Sequence, residues 1–274
     1  MSIFICPVCG KSLEIREHCY VCPDRHSFDI AAKGYVNLLM SNHMNAKLPG
    51  DNKLMVNARA DFLNKGYYSH LAKAVAEAAG EYFSGGAVLD AGCGEGYYTE
   101  MIRDSLCSSR DFSLGAVDIS KFACAKAAAR FKGDCRCETA AASVFRLPLA
   151  DNSVSMLVTM FAPFCREEYI RVLKTGGTLI MAIPAEEHLM SLKAAVYEEP
   201  YKNMTADYGI EGFDFLGRRK ISREITIDCA EDIRSLFTMT PYYYKTSREG
   251  HARVNALERL TTDAAFEVLV YKKN

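Results

Sequence analysis

The sequence predicts an α/β protein, a Rossmann-like and largely parallel sheet preceded by a small N-terminal metal-binding module. Three observations predict it. Short apolar strands alternate with helical stretches beyond residue 85, a glycine-rich turn follows the first of those strands, and four cysteines fall within the first 22 residues. Such alternation marks a parallel sheet covered by helices. The 274 residues correspond to about two domains of roughly 150 residues. The expected division is a metal-binding module over 1–40, a linker and helices packing on the core over 41–85, and the main α/β domain over 86–274.

Composition narrows the classes. A chain that is 49% hydrophobic and 24% charged is neither disordered nor fibrous. No apolar run approaches the roughly 20 residues that cross a bilayer. Met1 to Cys6 lacks the basic start and apolar core of a signal peptide. A cytoplasmic protein with no membrane partner is expected. Eleven cysteines then read as reduced thiols or metal ligands, because a disulfide framework belongs to an exported chain. Net charge is −1, from 33 basic and 34 acidic residues, so any nucleic-acid surface has to be locally basic.

Cys6-Pro7-Val8-Cys9 is a knuckle whose two thiolates can grip one tetrahedral zinc ion. The second pair is either Cys19 with Cys22 or Cys22 with His26. Spacing favours the latter, since Cys22-Pro23 repeats the Cys6-Pro7 step, and it leaves Cys19 spare on the strand entering the turn. A module this short cannot bury a stable core unaided. Four protein ligands leave no position for water, so the ion is expected to be structural.

Residues 41–55, with Leu48-Pro49-Gly50-Asp51, read as a linker ending in a helix cap at Asp51. From Asn52 to Phe83 apolar residues recur at helical spacing, and Gly66 divides the run into two helices. Strands are expected at Ala87–Asp90, Leu114–Asp118, Met156–Thr159, Thr178–Ile183 and Phe266–Tyr271.

The first of these strands ends in Asp90 and runs into Ala91-Gly92-Cys93-Gly94-Glu95-Gly96. Glycines let the backbone turn sharply and approach a ligand at the strand's carboxyl edge. Asp118 ends the next strand, where a carboxylate can accept hydrogen bonds from both ribose hydroxyls of a nucleotide. A dinucleotide loop would be one residue longer and would receive a pyrophosphate. Glu95 inside the loop repels a pyrophosphate and suits a ligand bearing a sulfonium and an ammonium, which favours S-adenosylmethionine over NAD.

The strand–Asp–Ala–Gly–Cys–Gly–x–Gly arrangement resembles motif I of the class I methyltransferases. That resemblance implies a seven-stranded sheet of order 3-2-1-4-5-7-6 with only strand 7 antiparallel. Ala141-Ala142-Ser143 resembles the adenine-contacting stretch, and Leu173-Lys174-Thr175-Gly176-Gly177 the turn into strand 5. Preceded by the cysteine module, the whole is similar to the bacterial 23S rRNA (guanine-N1)-methyltransferases of the RlmA type. The likeness rests on Cys22-Pro23-x-x-His26-x-Phe28-Asp29, Lys33-Gly34-Tyr35-Val36-Asn37-Leu38-Leu39, Pro49-Gly50-Asp51, Gly92 to Thr99, Phe161-Ala162-Pro163 and His188-Leu189-Met190. The Lys33-to-Leu39 string discriminates best, because neither zinc nor cofactor binding calls for it.

By that resemblance zinc sits on Cys6, Cys9, Cys22 and His26, and Tyr68, Gly94, Glu95 and His188 contact the cofactor. Asp90, Gly92, Gly96 and Asp118 complete the expected cofactor set. The implied partner is a 23S rRNA hairpin, and the implied assembly admits a homodimer. Guanine N1 carries a proton that has to leave, so a base is expected within hydrogen-bond reach. Glu186, Glu187 and His188 are the candidates, Phe161 could stack on the target base, and Phe164 is a poor catalytic prospect. Locally basic surfaces are residues 1–60, with seven Lys or Arg against five acids, and Arg218-Arg219-Lys220 with Arg223 in a polar insertion. Competing readings are a small-molecule methyltransferase, which would need no zinc knuckle, and a zinc-ribbon RNA-binding protein without activity.

Overall fold

The computed structural model describes residues 2–40, 50–107, 112–204 and 207–274. Of the linker expected over 41–55, residues 41–49 lie outside the described residues and Lys53 already begins a helix. Three short strands, β1 (Glu14–Arg16), β2 (Cys19–Val21) and β3 (Ser27–Asp29), form a small antiparallel sheet in the order β1-β2-β3. β4 (Val36–Asn37) leaves this sheet and joins the main one.

Helices α1 (Lys53–Asn64) and α2 (Ser69–Tyr82) follow, divided at Gly66 as expected. The cap of α1 is Asn52, not Asp51: the Asn52 side chain accepts from Met55 N at 3.1 Å. Asp51 instead forms an ion pair with Arg59, about two turns further along the chain in α1.

The main domain then runs β5 (Gly86–Ala91), α3 (Tyr97–Leu106), β6 (Phe112–Asp118), α4 (Lys121–Arg130), β7 (Cys137–Ala141), β8 (Val154–Met160), α5 (Arg166–Val172), β9 (Leu173–Pro184) and α6 (Met190–Val196). It closes with β10 (Phe213–Ile227), α7 (Ala230–Thr238), α8 (Arg248–Asn255) and β11 (Leu260–Lys273). The sheet order is β10-β11-β9-β8-β5-β6-β7-β4, and β11 is antiparallel to both of its neighbours. Read from β7 inward, this is the expected 3-2-1-4-5-7-6.

The sheet nevertheless has eight strands, because β4 pairs in parallel with β7, Val36 opposite Ala140 and Asn37 opposite Ala141. The Lys33-to-Leu39 string thus has a structural reason: it carries the strand that fastens the N-terminal module to the sheet edge. Leu38 N extends the ladder to Ala141 O at 2.9 Å, and Ile5 N donates to Pro148 O at 2.8 Å. Glu138 on β7 accepts from Ser2 Oγ at 2.5 Å and Ile3 N at 2.9 Å.

Phe4, Leu13, Tyr20, Val36 and Leu38 are buried in one apolar cluster with Leu89, Ala91, Val117 and Ala140 of the sheet. The first 40 residues therefore complete the core on one face, and truncation at residue 40 would uncover part of it. The expected polar insertion around Arg218 is in fact β10, an edge strand of alternating exposure. Charged side chains on an edge discourage pairing with another chain.

No helix among the described residues is long and apolar enough to cross a membrane. Leu38→Ala, which opens the shared core without touching a metal ligand, is expected to destabilise the chain by about 2–5 kcal/mol. Denaturant unfolding measures it, and a change confined to surface values would show that the module contributes little to the core.

Candidate metal and cofactor sites

The knuckle after Phe4 and the turn between β2 and β3 face each other. Their meeting brings Cys6, Cys9, Cys22 and His26 together with all ligand atoms within 4.8 Å of one another. Cys9 Sγ lies 3.7 Å from Cys22 Sγ, and His26 Nδ1 lies 3.3 Å from Cys22 Sγ and 3.6 Å from Cys6 Sγ. Zinc–sulfur bonds of about 2.3 Å at tetrahedral angles place two sulfurs about 3.8 Å apart. The donor set fits zinc in chemistry and spacing. Cys19 stands outside it on β2, its Sγ directed to Arg16 O at 3.4 Å.

The glycine loop is closed by the neighbouring strand. Gly92 N and Cys93 N both donate to Val117 O, at 2.8 and 2.9 Å. Asp118 Oδ2 accepts from Gly94 N at 2.9 Å and Oδ1 from Ser120 N at 2.8 Å. These bonds orient the carboxylate and leave further lone pairs for ribose hydroxyls. Burial raises the Asp118 pKa, against the two backbone donors that lower it.

Two glycines of the loop serve different ends. A Cβ on Gly92 would lie 2.3 Å from Ala162 Cβ, so this glycine admits the chain that follows β8. A Cβ on Gly94 would meet only Arg59, at 3.8 Å, and the space above it is open for a ligand. Gly96 caps α3 in the left-handed region.

Asp90 and Glu95 are both buried, and each keeps one carboxylate oxygen without a partner. Thr99 Oγ1 donates to Asp90 Oδ2 at 2.6 Å, while Oδ1 has none. Burial pushes the Asp90 carboxyl up to about 7. Glu95 is not wholly available to a ligand: Arg130 of α4 grips Oε2 at 2.5 Å, and only Oε1 remains.

Tyr68 and His188 meet away from the loop, around Phe266 of β11. Tyr68 lies 4.9 Å and His188 4.5 Å from that ring by centroids, and 6.0 Å from each other. A chain of rings joins them to the loop: Phe161 at the end of β8 is 5.7 Å from Phe266 and 6.4 Å from Tyr98 of α3. Tyr68 Oη, His188 Nδ1 and His70 Nδ1 are buried and unpartnered. Phe161 is 50% exposed and holds a left-handed φ of 55°, a strained state for a residue with a Cβ. Sequence patterns did not single out Arg59, Tyr98, His70 or Phe266 as site residues, since their contacts are made across the fold.

The three candidate bases fare poorly. Glu186 and Glu187 are ion-paired with Lys202 at the surface, at 3.4 and 2.7 Å. Burial pushes the His188 imidazole down to about 3, so it accepts hydrogen bonds at neutral pH and is a feeble sink for a proton. Of the basic patch on β10, Arg218 is 3.4 Å from Glu267 and Arg219 pairs with Glu81.

Sheet order and the glycine loop, with Asp118 ending the next strand, are those of a class I methyltransferase, an enzyme that uses S-adenosylmethionine. Residues 4–47 match the RlmA N-terminal zinc-ribbon family, and residues 88–177 match a methyltransferase-domain family. The chain is 33% identical to a Micromonospora griseorubida protein described as a 23S rRNA (guanine-N1)-methyltransferase, over 97% of this chain and 96% of that one. It is 31% identical to the 23S rRNA (guanine(748)-N1)-methyltransferase of Streptomyces fradiae, over 81% of this chain and 79% of that one. It belongs to the family of 23S rRNA (guanine-N1)-methyltransferases. The solved YcgJ protein of Bacillus subtilis aligns with 75% of the chain and 99% of its own at 15% identity and a TM-score of 0.49.

Two outcomes follow from these sites. Cys22→Ser should lose the single zinc equivalent and loosen the N-terminal module, because metal binding and folding are coupled there, whereas Cys19→Ser should keep it. Metal analysis of the purified variants decides, and the reverse pattern would exchange the two ligands. Asp90 supplies the second. Its folded-state pKa lies above the unfolded value, so burying the ionised form costs stability, a cost absent below about pH 4 and full above about pH 7. Asp90→Asn, which still accepts from Thr99, should gain on the wild type as pH rises through that window. Unfolding curves from pH 4 to 8 that keep a constant gap would remove this account.

Proposed function

We propose that this enzyme transfers the methyl group of S-adenosylmethionine to N1 of a guanosine in a hairpin loop of 23S rRNA, in the cytoplasm. The observation that carries the reading is the Cys6, Cys9, Cys22 and His26 cluster in a module whose strand β4 joins the methyltransferase sheet itself. A metal module rigidly joined to the cofactor domain can grip RNA at a fixed distance from the reacting methyl. The 33% identity to the Micromonospora griseorubida relative spans both parts of the chain, and with the 31% identity to the Streptomyces fradiae enzyme it supports the same substrate.

A cleft of about 670 Å³ lies where the two parts meet, lined by Pro7 and Val8 of the knuckle and by Ile119, Ser143, Phe145 and Leu147 of the sheet side. Phe145 is 61% and Val8 50% exposed, apolar surface suited to an unstacked base. Loops yield such bases without the opening of a full duplex. Across the mouth of β8, Phe161 would hold the target guanine against the cofactor, with Tyr68 and His188 behind it. Methyl transfer is an in-line displacement, so collinear holding of donor and acceptor is what the protein supplies. Asp118, Gly94 and Asp90 would hold the cofactor's ribose and methionine ends.

The test is methyl transfer from labelled S-adenosylmethionine to 23S rRNA hairpins, with mass analysis of the nucleosides. The expected product is 1-methylguanosine. The rate should fall with added salt, because phosphate contacts release counterions on binding. Phe145→Ala should weaken RNA binding by about 1–3 kcal/mol while leaving cofactor affinity as it was. A different methylated nucleoside, or equal activity on a free nucleoside, overturns the substrate.

A further inference from the structure

We infer that Arg59 receives the α-carboxylate of S-adenosylmethionine and that Asp51 holds its guanidinium in place for that purpose. The inference rests on the cofactor lying over the glycine loop, as proposed above. The loop is ringed by carboxylates: Asp90 beneath it, Glu95 within it and Asp118 beside it. They suit the sulfonium and ammonium of the ligand and oppose its carboxylate, so a cation has to face that group.

Two guanidinium groups reach the loop among the described residues. Arg130 is fully engaged. Its Nε and Nη2 bind Glu95 Oε2 at 3.0 and 2.5 Å, Nη2 also binds Asn64 Oδ1 at 2.7 Å, and Nη1 binds Glu100 Oε2 at 2.8 Å. Its guanidinium is thereby held between α1 and α3.

Arg59 faces the open side. Its Nη1 would be 3.8 Å from a Cβ built on Gly94, the glycine with nothing else above it. Its partners are the carboxylate of Asp51 and, through Nη2, Met239 O at 3.4 Å. Five N–H donors leave capacity for a carboxylate. The side chain is 28% exposed, open enough for a ligand to approach.

Asp51 is well placed to aim it. Its carbonyl accepts from Ser120 Oγ at 2.6 Å, two residues beyond Asp118, and Gly50 before it lies against Ile119. The segment is thereby pinned to the end of β6, and the Asp51–Arg59 pair bridges from that end to Gly94. Gly50-Asp51, part of a marker of the family resemblance, gains a use that helix capping does not supply.

Calorimetric titration of the full chain with S-adenosylmethionine and with its decarboxylated form, which keeps the sulfonium and the ammonium, tests the assignment. Arg59→Ala should weaken S-adenosylmethionine by about 10- to 100-fold, the loss of a charge-assisted bond, and leave the decarboxylated compound unchanged. Arg59→Lys should retain part of the affinity for S-adenosylmethionine, and it guards against a folding defect in the alanine variant. Equal losses on both compounds, or no loss on S-adenosylmethionine, overturn the assignment alone. If the unaltered chain binds neither compound, the cofactor reading falls and takes the assignment with it.

Discussion

The in-register pairing of β5 with β6, Ala91 opposite Val117, decides where everything around the cofactor can be. Once those strands are paired, the two amides that follow Ala91 find Val117 O, and the loop has to bend back over the carboxyl edge. Bending back brings Gly94 N to Asp118 and fixes one oxygen of that carboxylate. It also starts α3 at Gly96, so Glu95 faces α4 and Arg130. A slip in this register would displace the loop, the acid and the helix together. Other parts of the site are fitted onto this frame from outside: Ala162 against Gly92, Asp51 against Ser120, and the aromatic chain from Tyr98 to Phe266.

The frame concentrates negative charge where water is scarce. Asp90, Glu95 and Asp118 lie within one turn of the chain and its neighbour strand, and two of them keep an unpartnered oxygen. Such groups are costly in an empty protein. Arg130 limits that cost by neutralising one oxygen of Glu95, and the guanidinium also ties α3 to α4 through Glu100. Part of a residue that sequence reasoning gave to the ligand thus serves to hold the loop's own shape.

What the sequence disclosed and what it withheld divide along physical lines. Strands buried on both faces show as apolar runs, and Leu114–Asp118 emerges as β6 with only its first two residues unread. β10 was invisible because an edge strand carries Arg218, Arg219 and Lys220 where a central one carries valines. β7, with Glu138 and Thr139 at its middle, lacks the apolar run as well. Metal spacing narrowed the fourth ligand to Cys19 or His26. The fold separates them, because β2 directs Cys19 toward Arg16 O while the following turn folds His26 inward. Asp51 has a favourable residue type for a cap, yet its neighbour Asn52 takes that role and Asp51 finds Arg59 two helical turns away. Partners separated that far in sequence, or supplied by another element, leave no local pattern.

The pairing of β4 with β7 also governs the order in which the chain can assemble. Val36 leaves the ribosome roughly a hundred residues before its partner Ala140. At about 5–20 residues per second, that is a wait of some 5–20 s. During it the N-terminal segment has β1 to β3 and its cysteines but no sheet to lie on, and Phe4, Leu13 and Val36 face solvent. A bound metal is what can keep so small a unit folded through that interval. The β7 edge of the sheet is thus capped by a module made some hundred residues earlier, which has to hold its own strands in order until that edge exists.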